Sequence, residues 1–381
     1  MSKKWVRNLT LSLAAISLTA TVNAQNNTTT EPINVVTTSV PFLRISSDAR
    51  AGAMGDASIA VSGDANATFV NASKIPFASS KAQVGVTYTP WLKDIANDVY
   101  LVTLGSYYQI DETQAIHGGL RYFNLGQMQF VDEQGSLLQT KTPREFSFEA
   151  GYSRKLSEKF GIGATFRYIS SNLGSGTING NTYKPGSAVA GDISATYDGR
   201  DEYGQGFSAG LTFSNLGSKI SYSDDPDSKN FLPANLGLGG AYTANIDEDN
   251  QLTFAVDMNH LLVPPYPANV GTTQVSETEL AEYYNTGVFE GIGNSFNNGA
   301  YAFSVGAEYS YIQQFFARAG YFGETKEAGG RNFFSAGVGV KYNVFGLNFS
   351  YLAPQGNSLN RNPLSNTLRF SLLFDVAGIQ N

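Results

Sequence analysis

Residues 145–168 read EFSFEAGYSRKLSEKFGIGATFRY and decide the fold. On both sides of the short turn LSEK, apolar and polar residues alternate, so that Phe146 and Phe148 share one face while Glu145 and Glu149 share the other. A period of two is typical of a β-strand with one apolar and one polar face. Two such runs joined by a tight turn predict an antiparallel hairpin. Each run is about ten residues long, which is the length that a tilted strand needs to cross a bilayer.

The same alternation recurs along the chain and predicts fourteen strands. They cover residues 81–90, 98–109, 113–123, 145–155, 160–170, 187–198, 205–215, 233–244, 251–261, 301–312, 314–322, 332–342, 345–353 and 366–374. Short turns alternate with longer loops, as they do between the periplasmic and outer ends of outer-membrane barrels. A chain with both ends in the periplasm needs an even strand number, and pairing of the last strand with the first leaves no edge in lipid. We therefore predict an all-β transmembrane outer-membrane β-barrel of about fourteen antiparallel strands over residues 81–374, followed by a periplasmic tail at 375–381.

The composition favours the same class. The 381 residues include 40 glycines, 25 phenylalanines and 21 tyrosines, no cysteine, and only 15% charged residues. A soluble all-β protein, the alternative, needs more surface charge than this. The net charge of −7 argues against nucleic acid as a partner. With no cysteine and only two separated histidines, the sequence predicts no metal site and no cofactor.

The N-terminal end has the pattern of an exported protein. Three positive charges precede an apolar run at 9–22, and a small-residue ending follows. This pattern predicts a secretory signal peptide over residues 1–24, cleaved between Ala24 and Gln25, rather than an uncleaved anchor. The Asn/Thr-rich residues 25–40 are predicted to form a disordered leader.

Between this leader and the first strand lies a stretch that is too interrupted for a strand, PFLRISSDARAGAMGDASIA at 41–60. A fourteen-stranded barrel has a backbone diameter of about 28 Å, which leaves a lumen that some forty residues can occupy. We predict that residues 41–80 fold into the lumen as a plug, with a small periplasmic cap as the alternative. Its charged residues are expected to pair with inward-pointing acids and bases. The motif residues of the plug are Arg44, Asp48, Arg50, Gly52, Met54, Gly55 and Asp56.

Catalytic chemistry has little support in the sequence. His117 falls on the inward face of the third predicted strand, and His260 lies near the outer end of the ninth. A lipid hydrolase would need a Ser–His–acid group, and no nucleophile elbow is present. We predict a hydrogen bond in the lumen for His117, a loop-anchoring role for His260, and no enzymatic activity. The acidic clusters at 224–227 and 247–249 are interpreted as solvated loop charge rather than calcium sites.

The longest loop, 262–300, is the first candidate for partner contacts. Ser276 and Glu279 have capping-box spacing, which predicts a short helix with Leu280, Tyr283 and Tyr284 on one side. These three side chains form either a docking surface or a lid packed on neighbouring loops. Trp91, at the outer end of the first strand, is interpreted as an interfacial anchor, with a partner contact as the alternative.

Several stretches carry a family resemblance, including PFLRISSDARAGAMGDASIA, LRYFNLG, PREFSFEAGYSRKLSEKFGIGATFRYISSNL, FLPANLGLG and DMNHLLVPP. They resemble the PorV family, outer-membrane proteins of the type IX secretion system that are related in fold to FadL-type fatty-acid transporters. The resemblance spans about residues 40–374. The chain departs from the family pattern at VNAS, residues 70–73, where Trp-Asn-Pro-Ala is usual, and at His260, where lysine is common.

The resemblance implies an outer-membrane shuttle. Such proteins bind secreted cargo through its C-terminal signal domain, take it from a large outer-membrane translocon, and deliver it to an attachment complex with a sortase-like partner. On this interpretation the cargo docks on the extracellular side, outer-membrane lipid surrounds the barrel, and the lumen stays closed. The alternative is a FadL-like transporter of hydrophobic small molecules, which needs an apolar lumen pocket and a lateral opening.

Overall fold

A computed structural model of the chain describes residues 35–91, 98–131, 137–178, 181–224, 229–267, 276–354 and 367–376. All of them belong to one compact unit, Ile33–Asn381. The predicted signal peptide with its cleavage site at Ala24 and Gln25 lies outside the described residues, as do most of the predicted leader and tail. Among the described helices, none has the length and apolar character needed to cross a membrane.

Strands make up most of the described chain. In chain order they are β1 (Ala82–Pro90), β2 (Val99–Gln109), β3 (Gln114–Leu125), β4 (Met128–Val131), β5 (Leu137–Lys141), β6 (Arg144–Lys155), β7 (Phe160–Asn172), β8 (Gly176–Ile178), β9 (Asn181–Tyr183), β10 (Gly186–Asp198), β11 (Gly206–Gly217), β12 (Asn235–Asn245), β13 (Asn250–Leu261), β14 (Tyr301–Tyr311), β15 (Phe315–Glu324), β16 (Asn332–Tyr342), β17 (Phe345–Pro354) and β18 (Thr367–Asp375).

Fourteen of these strands close into an antiparallel barrel in the order β1-β18-β17-β16-β15-β14-β13-β12-β11-β10-β7-β6-β3-β2. Closure comes from β1, which pairs with β2 on one side and with β18 on the other. Each of the fourteen predicted strands is present, with its ends within two residues of the predicted ones. The fold-class prediction is therefore confirmed. Two small hairpins, β4–β5 and β8–β9, lie in the long loops and were not predicted.

The two faces of the wall follow the alternation in the sequence. In β6, Phe148 is 58% exposed on the outer face, whereas the neighbouring Glu149 is fully buried on the inner face. Phe166 and Arg167 in β7 repeat this arrangement. An apolar belt outside and a polar lining inside are typical of a barrel that faces lipid. The long loops define its outer end and the short turns its periplasmic end.

Residues 41–80, called the N-terminal segment below, form short helical turns rather than strands. They are the α-helices Ala49–Ala53 and Ala67–Val70 and the 3-10 helices Pro41–Arg44 and Ala72–Phe77. Just before the segment, the Val36 amide donates to the Glu327 carbonyl at 2.8 Å, in the loop that joins β15 to β16 at the outer end. The segment ends where β1 begins, at the periplasmic end. It therefore runs from the outer end to the periplasmic end against the inner face, a direction that the sequence did not indicate.

The remaining described helices lie in the outer loops. They are the α-helices Glu277–Asn285 and Val288–Asn294 and the 3-10 helices Ser295–Asn297 and Lys326–Ala328.

Candidate functional site

The N-terminal segment approaches the wall most closely at glycines. A Cβ on Gly320 would lie 2.1 Å from the Met54 carbonyl carbon, and one on Gly306 would lie 2.5 Å from the Met54 carbonyl oxygen. Gly55 has φ +66°, and a Cβ there would lie 2.4 Å from the Tyr321 carbonyl oxygen. Only glycine permits backbone to meet backbone at these positions.

A buried ion-pair network joins the segment to β14 and β15. Arg50 donates from Nε to Glu308 Oε2 at 2.9 Å and from Nη2 to Glu308 Oε1 at 2.8 Å. Arg318 donates to the same carboxylate at 2.6 Å. The Arg50 guanidinium also donates to the carbonyl oxygen and the hydroxyl of Ser62, at 3.1 and 2.9 Å. One guanidinium thus connects two turns of the segment to the wall by bidentate and single hydrogen bonds.

Two further charges of the motif pair with the wall. Arg44 donates to Glu324 at 3.1 Å at the outer end of β15. Asp56 accepts from Arg369 of β18 at 3.4 Å. Gly52 lies directly against this arginine, because a Cβ on Gly52 would be 2.1 Å from Arg369 Nη1.

Asp48 was expected to pair with a base of the wall, but it bonds within the N-terminal segment instead. Its carboxylate caps the helix Ala49–Ala53 by accepting from the Ala51 amide at 2.8 Å. An aspartate at an N-cap satisfies a backbone donor that otherwise has no partner in the helix. Burial raises the pKa of this carboxyl group.

The middle of the segment is fixed by β13. Asp257 accepts from the amides of Ser58 and Ile59 at 2.6 and 2.9 Å. Gly239 leaves space for the Ile59 side chain, since a Cβ there would lie 2.6 Å from Ile59 Cβ. The Lys74 ammonium donates to the Ser58 carbonyl at 2.5 Å, and burial lowers its pKa to about 8.

Arg121 and His117 of β3 also face inward, as predicted. Arg121 donates to the carbonyls of Leu43 and Phe69 at 3.0 and 3.1 Å, and its guanidinium lies 4.7 Å from the centre of the Phe69 ring. His117 shares a hydrogen bond of 2.9 Å with the Thr165 hydroxyl of β7, along the inner face and past the intervening strand β6. Both side chains therefore have lining roles.

The sequence did not predict a charged cluster inside the wall at a β-bulge between β10 and β11. Arg167 donates to Glu149 at 2.9 Å and to Asp192 at 2.7 Å. Asn215, the bulged residue with φ +57°, donates its amide to Asp192 at 2.7 Å. A charge on the inner face of a transmembrane strand needs a partner on a neighbouring strand. The sequence could therefore have indicated that Arg167 has an acidic partner on a neighbouring strand. The bulge could not have been predicted, because the alternation of apolar and polar residues does not show it.

Two cavities lie on either side of the Asp56–Val61 stretch of the segment. The one in the outer half has a volume of about 160 Å³, and the one at the periplasmic end about 400 Å³. Arginines, carboxylates and amides contribute to the lining of the outer cavity, among them Arg44, Arg121, Arg331, Asp56, Asp257, Asn215 and Asn259.

The predicted helix of the longest loop is present as Glu277–Asn285. Its capping box is complete, because the Glu279 amide donates to Ser276 Oγ at 3.1 Å and the Ser276 amide donates to the Glu279 carboxylate at 3.4 Å. Tyr283 packs edge-on against Phe231 with ring centres 5.5 Å apart. The helix is thereby attached to the neighbouring loop.

The apolar side of this helix faces the protein. Tyr283 is buried, and burial raises its pKa to about 12. Leu280 and Tyr284 are half-buried, and the Tyr284 carbonyl accepts from Lys219 at 3.1 Å. Of the two alternatives for these side chains, the described contacts match the packed lid, and a docking role for Tyr283 is wrong because its ring is already covered.

Trp91 also differs from its expected role. Its indole is 8% exposed and belongs to a buried apolar cluster with Phe42 and Leu101. It is therefore neither an interfacial anchor nor an exposed partner contact. The reason is that Trp91 continues the inward parity of Thr87 and Thr89, so its side chain joins a cluster that includes Phe42 of the N-terminal segment.

The remaining candidates have structural roles. The His260 ring stacks on Tyr301 at 4.3 Å, and its Nδ1 lies 3.3 Å from the Ala300 carbonyl oxygen, which agrees with loop anchoring. Asp224 pairs with Lys184 in an exposed loop. Within the described ranges, no three His, Cys, Asp or Glu side chains come together as a metal site would require.

The fold has solved relatives at low identity. The Pseudomonas putida toluene transporter TodX is 13% identical with a TM-score of 0.51, and 85% of this chain and 95% of that chain are covered. A Pseudomonas aeruginosa FadL homologue is 12% identical with a TM-score of 0.50, covering 86% and 98%. These likenesses establish a FadL-like barrel and nothing about ligands. No curated protein matches the sequence.

The family is established by sequence. The family model described as "Type IX secretion system protein PorV" matches residues 27–268, which is more than half of the chain. That range includes the N-terminal segment and the wall from β1 to β13. The chain therefore belongs to the PorV family of type IX secretion system proteins and is an integral outer-membrane β-barrel.

Proposed function

We propose that this protein binds the C-terminal signal domain of secreted cargo at the large outer-membrane translocon and carries it to an attachment complex with a sortase-like partner. The observation that carries the proposal is the N-terminal segment, which is bonded to the inner wall along the length of the barrel. We propose that it acts as a plug. A shuttle that docks cargo on its outer surface must keep its lumen closed.

The polarity of the lumen favours this function over transport of hydrophobic molecules. A transporter of that kind needs a largely apolar pocket. The outer cavity instead has a mixed lining, in which the charged Arg121 and Asp257 lie beside apolar residues such as Phe322. Burying an apolar ligand there would remove polar groups from water without giving them new hydrogen bonds.

We propose the exposed side of the helix Glu277–Asn285 as a docking surface. Its packed side, through Tyr283, fixes its orientation, and its outer side presents the exposed carboxylates Glu277 and Glu282 at the end of the barrel that faces outward. Exposed charge at the rim of an interface sets the association rate and the choice of partner.

The test is mass spectrometry of the proteins that co-purify from native membranes in mild detergent. Wild type is expected to retain secreted proteins with one kind of C-terminal domain, a very large outer-membrane protein and a sortase-like protein. The double variant Glu277→Lys, Glu282→Lys is expected to lose cargo, whereas Glu158→Lys, in an exposed turn at the periplasmic end, keeps it. Absence of such proteins from the wild-type preparation, with a stoichiometric apolar ligand in their place, would establish the transporter instead.

A further inference from the structure

A second part of the long outer loop lies outside the barrel, on the face that continues the lipid belt. In β13, Phe254 and Val256 point outward and are more than half exposed. His260 has the same parity along the strand and therefore also points outward, yet it is buried. Tyr301 and Phe296 cover it, with ring centres 4.3 and 5.8 Å from the imidazole. The chain around Phe296 consequently lies against the outside of the wall, directly above the belt.

The helix Val288–Asn294 and the turn that follows it have one side attached to the protein and one side free. Gly291 is buried against Phe231, because a Cβ there would lie 2.8 Å from the ring. Residues at helical offsets of −2 and +5 from Gly291 fall on the opposite side. These are Phe289, which is 89% exposed, and Phe296, which is 60% exposed. Phe289 thus points away from the protein, and Phe296 covers His260 with one part of its ring while the rest of the ring is exposed on the same side as Phe289.

Moving a phenylalanine side chain from water into an apolar environment is favourable. Phe303, the next outward residue below Tyr301 on β14, already belongs to the exposed apolar belt. Phe296 continues that belt upward, so the surface that covers both rings is continuous with the surface that covers the wall. Apolar rings at the membrane boundary, held by a short helix, are the pattern of an interfacial anchor.

We propose that residues 288–297 form an outer-leaflet anchor in which Phe289 and Phe296 enter the boundary between headgroups and acyl chains. The occupant of this surface is membrane lipid. The inference is independent of the proposed cargo function. Its consequence is that the long loop is held at two points, by Tyr283 on the neighbouring loop and by the anchor on the membrane.

The test uses the absence of cysteine from the chain, so that each single-cysteine variant carries one probe. Phe289→Cys, Phe296→Cys and Thr278→Cys are labelled with an environment-sensitive NBD dye and reconstituted in phospholipid vesicles. Thr278 is exposed on the helix of the same loop and serves as the matched control. Spin-labelled lipid is expected to quench the dye at 289 and 296 several-fold more than at 278, whereas aqueous iodide is expected to do the reverse.

Equal quenching by lipid at all three positions, with full access to iodide, would overturn the proposal. Protection of 289 and 296 only in native membranes, where other proteins are present, would assign the surface to a protein partner and also overturn it. Since Phe289 covers nothing, its variant tests the idea even if Phe296→Cys fails to fold. Loss of cargo binding with intact lipid quenching would leave the anchor standing and refute only the cargo proposal.

Discussion

Replacing Arg50 with methionine is expected to release the N-terminal segment from the wall. The change removes two hydrogen bonds to Glu308 and two to Ser62, while Glu308 keeps Arg318 at 2.6 Å. Removing one partner of a buried ion pair costs about 3–5 kcal/mol. The Arg50 side chain is 16% exposed, and Glu308 retains one partner, so we take the lower value of about 3 kcal/mol. At about 1.4 kcal/mol per tenfold change, the displaced state becomes about 100-fold more populated.

Single-channel recording in planar bilayers measures this population as the fraction of time that the channel is open. Arg50→Met is expected to raise this open fraction about 100-fold over wild type. Arg50→Lys is expected to give an intermediate value, because an ammonium cannot reproduce the bidentate contact. Arg200→Met is the matched control, since Arg200 pairs with Asp198 in a turn at the periplasmic end. Wild-type gating by a correctly folded Arg50→Met barrel would refute the reasoning that this guanidinium holds a plug closed.

Three further outcomes are expected. Gly320→Ala should displace the N-terminal segment and expose it to protease, because the new Cβ would lie 2.1 Å from backbone, whereas Gly240→Ala, with its nearest contact at 3.6 Å, should not. Burial lowers the pKa of Lys74 from 10.5 to about 8. At a pH between these two pKa values, the docked segment therefore binds fewer protons than the released one. Open events should therefore become rarer as pH rises through that window, and Lys74→Met should abolish the dependence. Thr37→Cys should react with a membrane-impermeant maleimide on intact cells, and Gln313→Cys only after permeabilisation; the opposite pattern would mean that the barrel is inverted.

The sequence predicted the wall well because the wall obeys a local rule. A strand between lipid and a polar lumen must alternate at every residue, as Phe148 and Glu149 do, so each strand could be identified without reference to its neighbours. The inward charges could be identified for the same reason. Which acid pairs with which base depends on register between strands, and single segments do not contain that information.

The errors concern residues whose surroundings come from distant parts of the chain. Trp91 continues the inward parity of Thr87 and Thr89, which the alternation shows, but the residues that cover it there include Phe42 of the distant N-terminal segment. Tyr283 was correctly placed on the apolar side of a helix, but the partner of that side is Phe231, from another loop. Asp48 was expected to pair across the lumen, but its own helix supplied a nearer donor.

The contacts of the N-terminal segment also constrain how the barrel forms. Its partners include Gln83 of β1, which accepts from the Ala65 amide at 2.8 Å, and Ser371 of β18, which accepts from the Ala49 amide at 2.9 Å. These are the two strands whose pairing closes the barrel. The segment is the first of these parts in the chain, yet its bonds are complete only when the last strand is in place. Closure with the segment outside would leave Arg369 of β18 without Asp56 and Glu308 of β14 without Arg50, so that each of these inward charges would lose an ion-pair partner. We therefore expect the segment and the wall to fold as one cooperative unit, so that the contacts proposed to seal the lumen also stabilise the closed barrel.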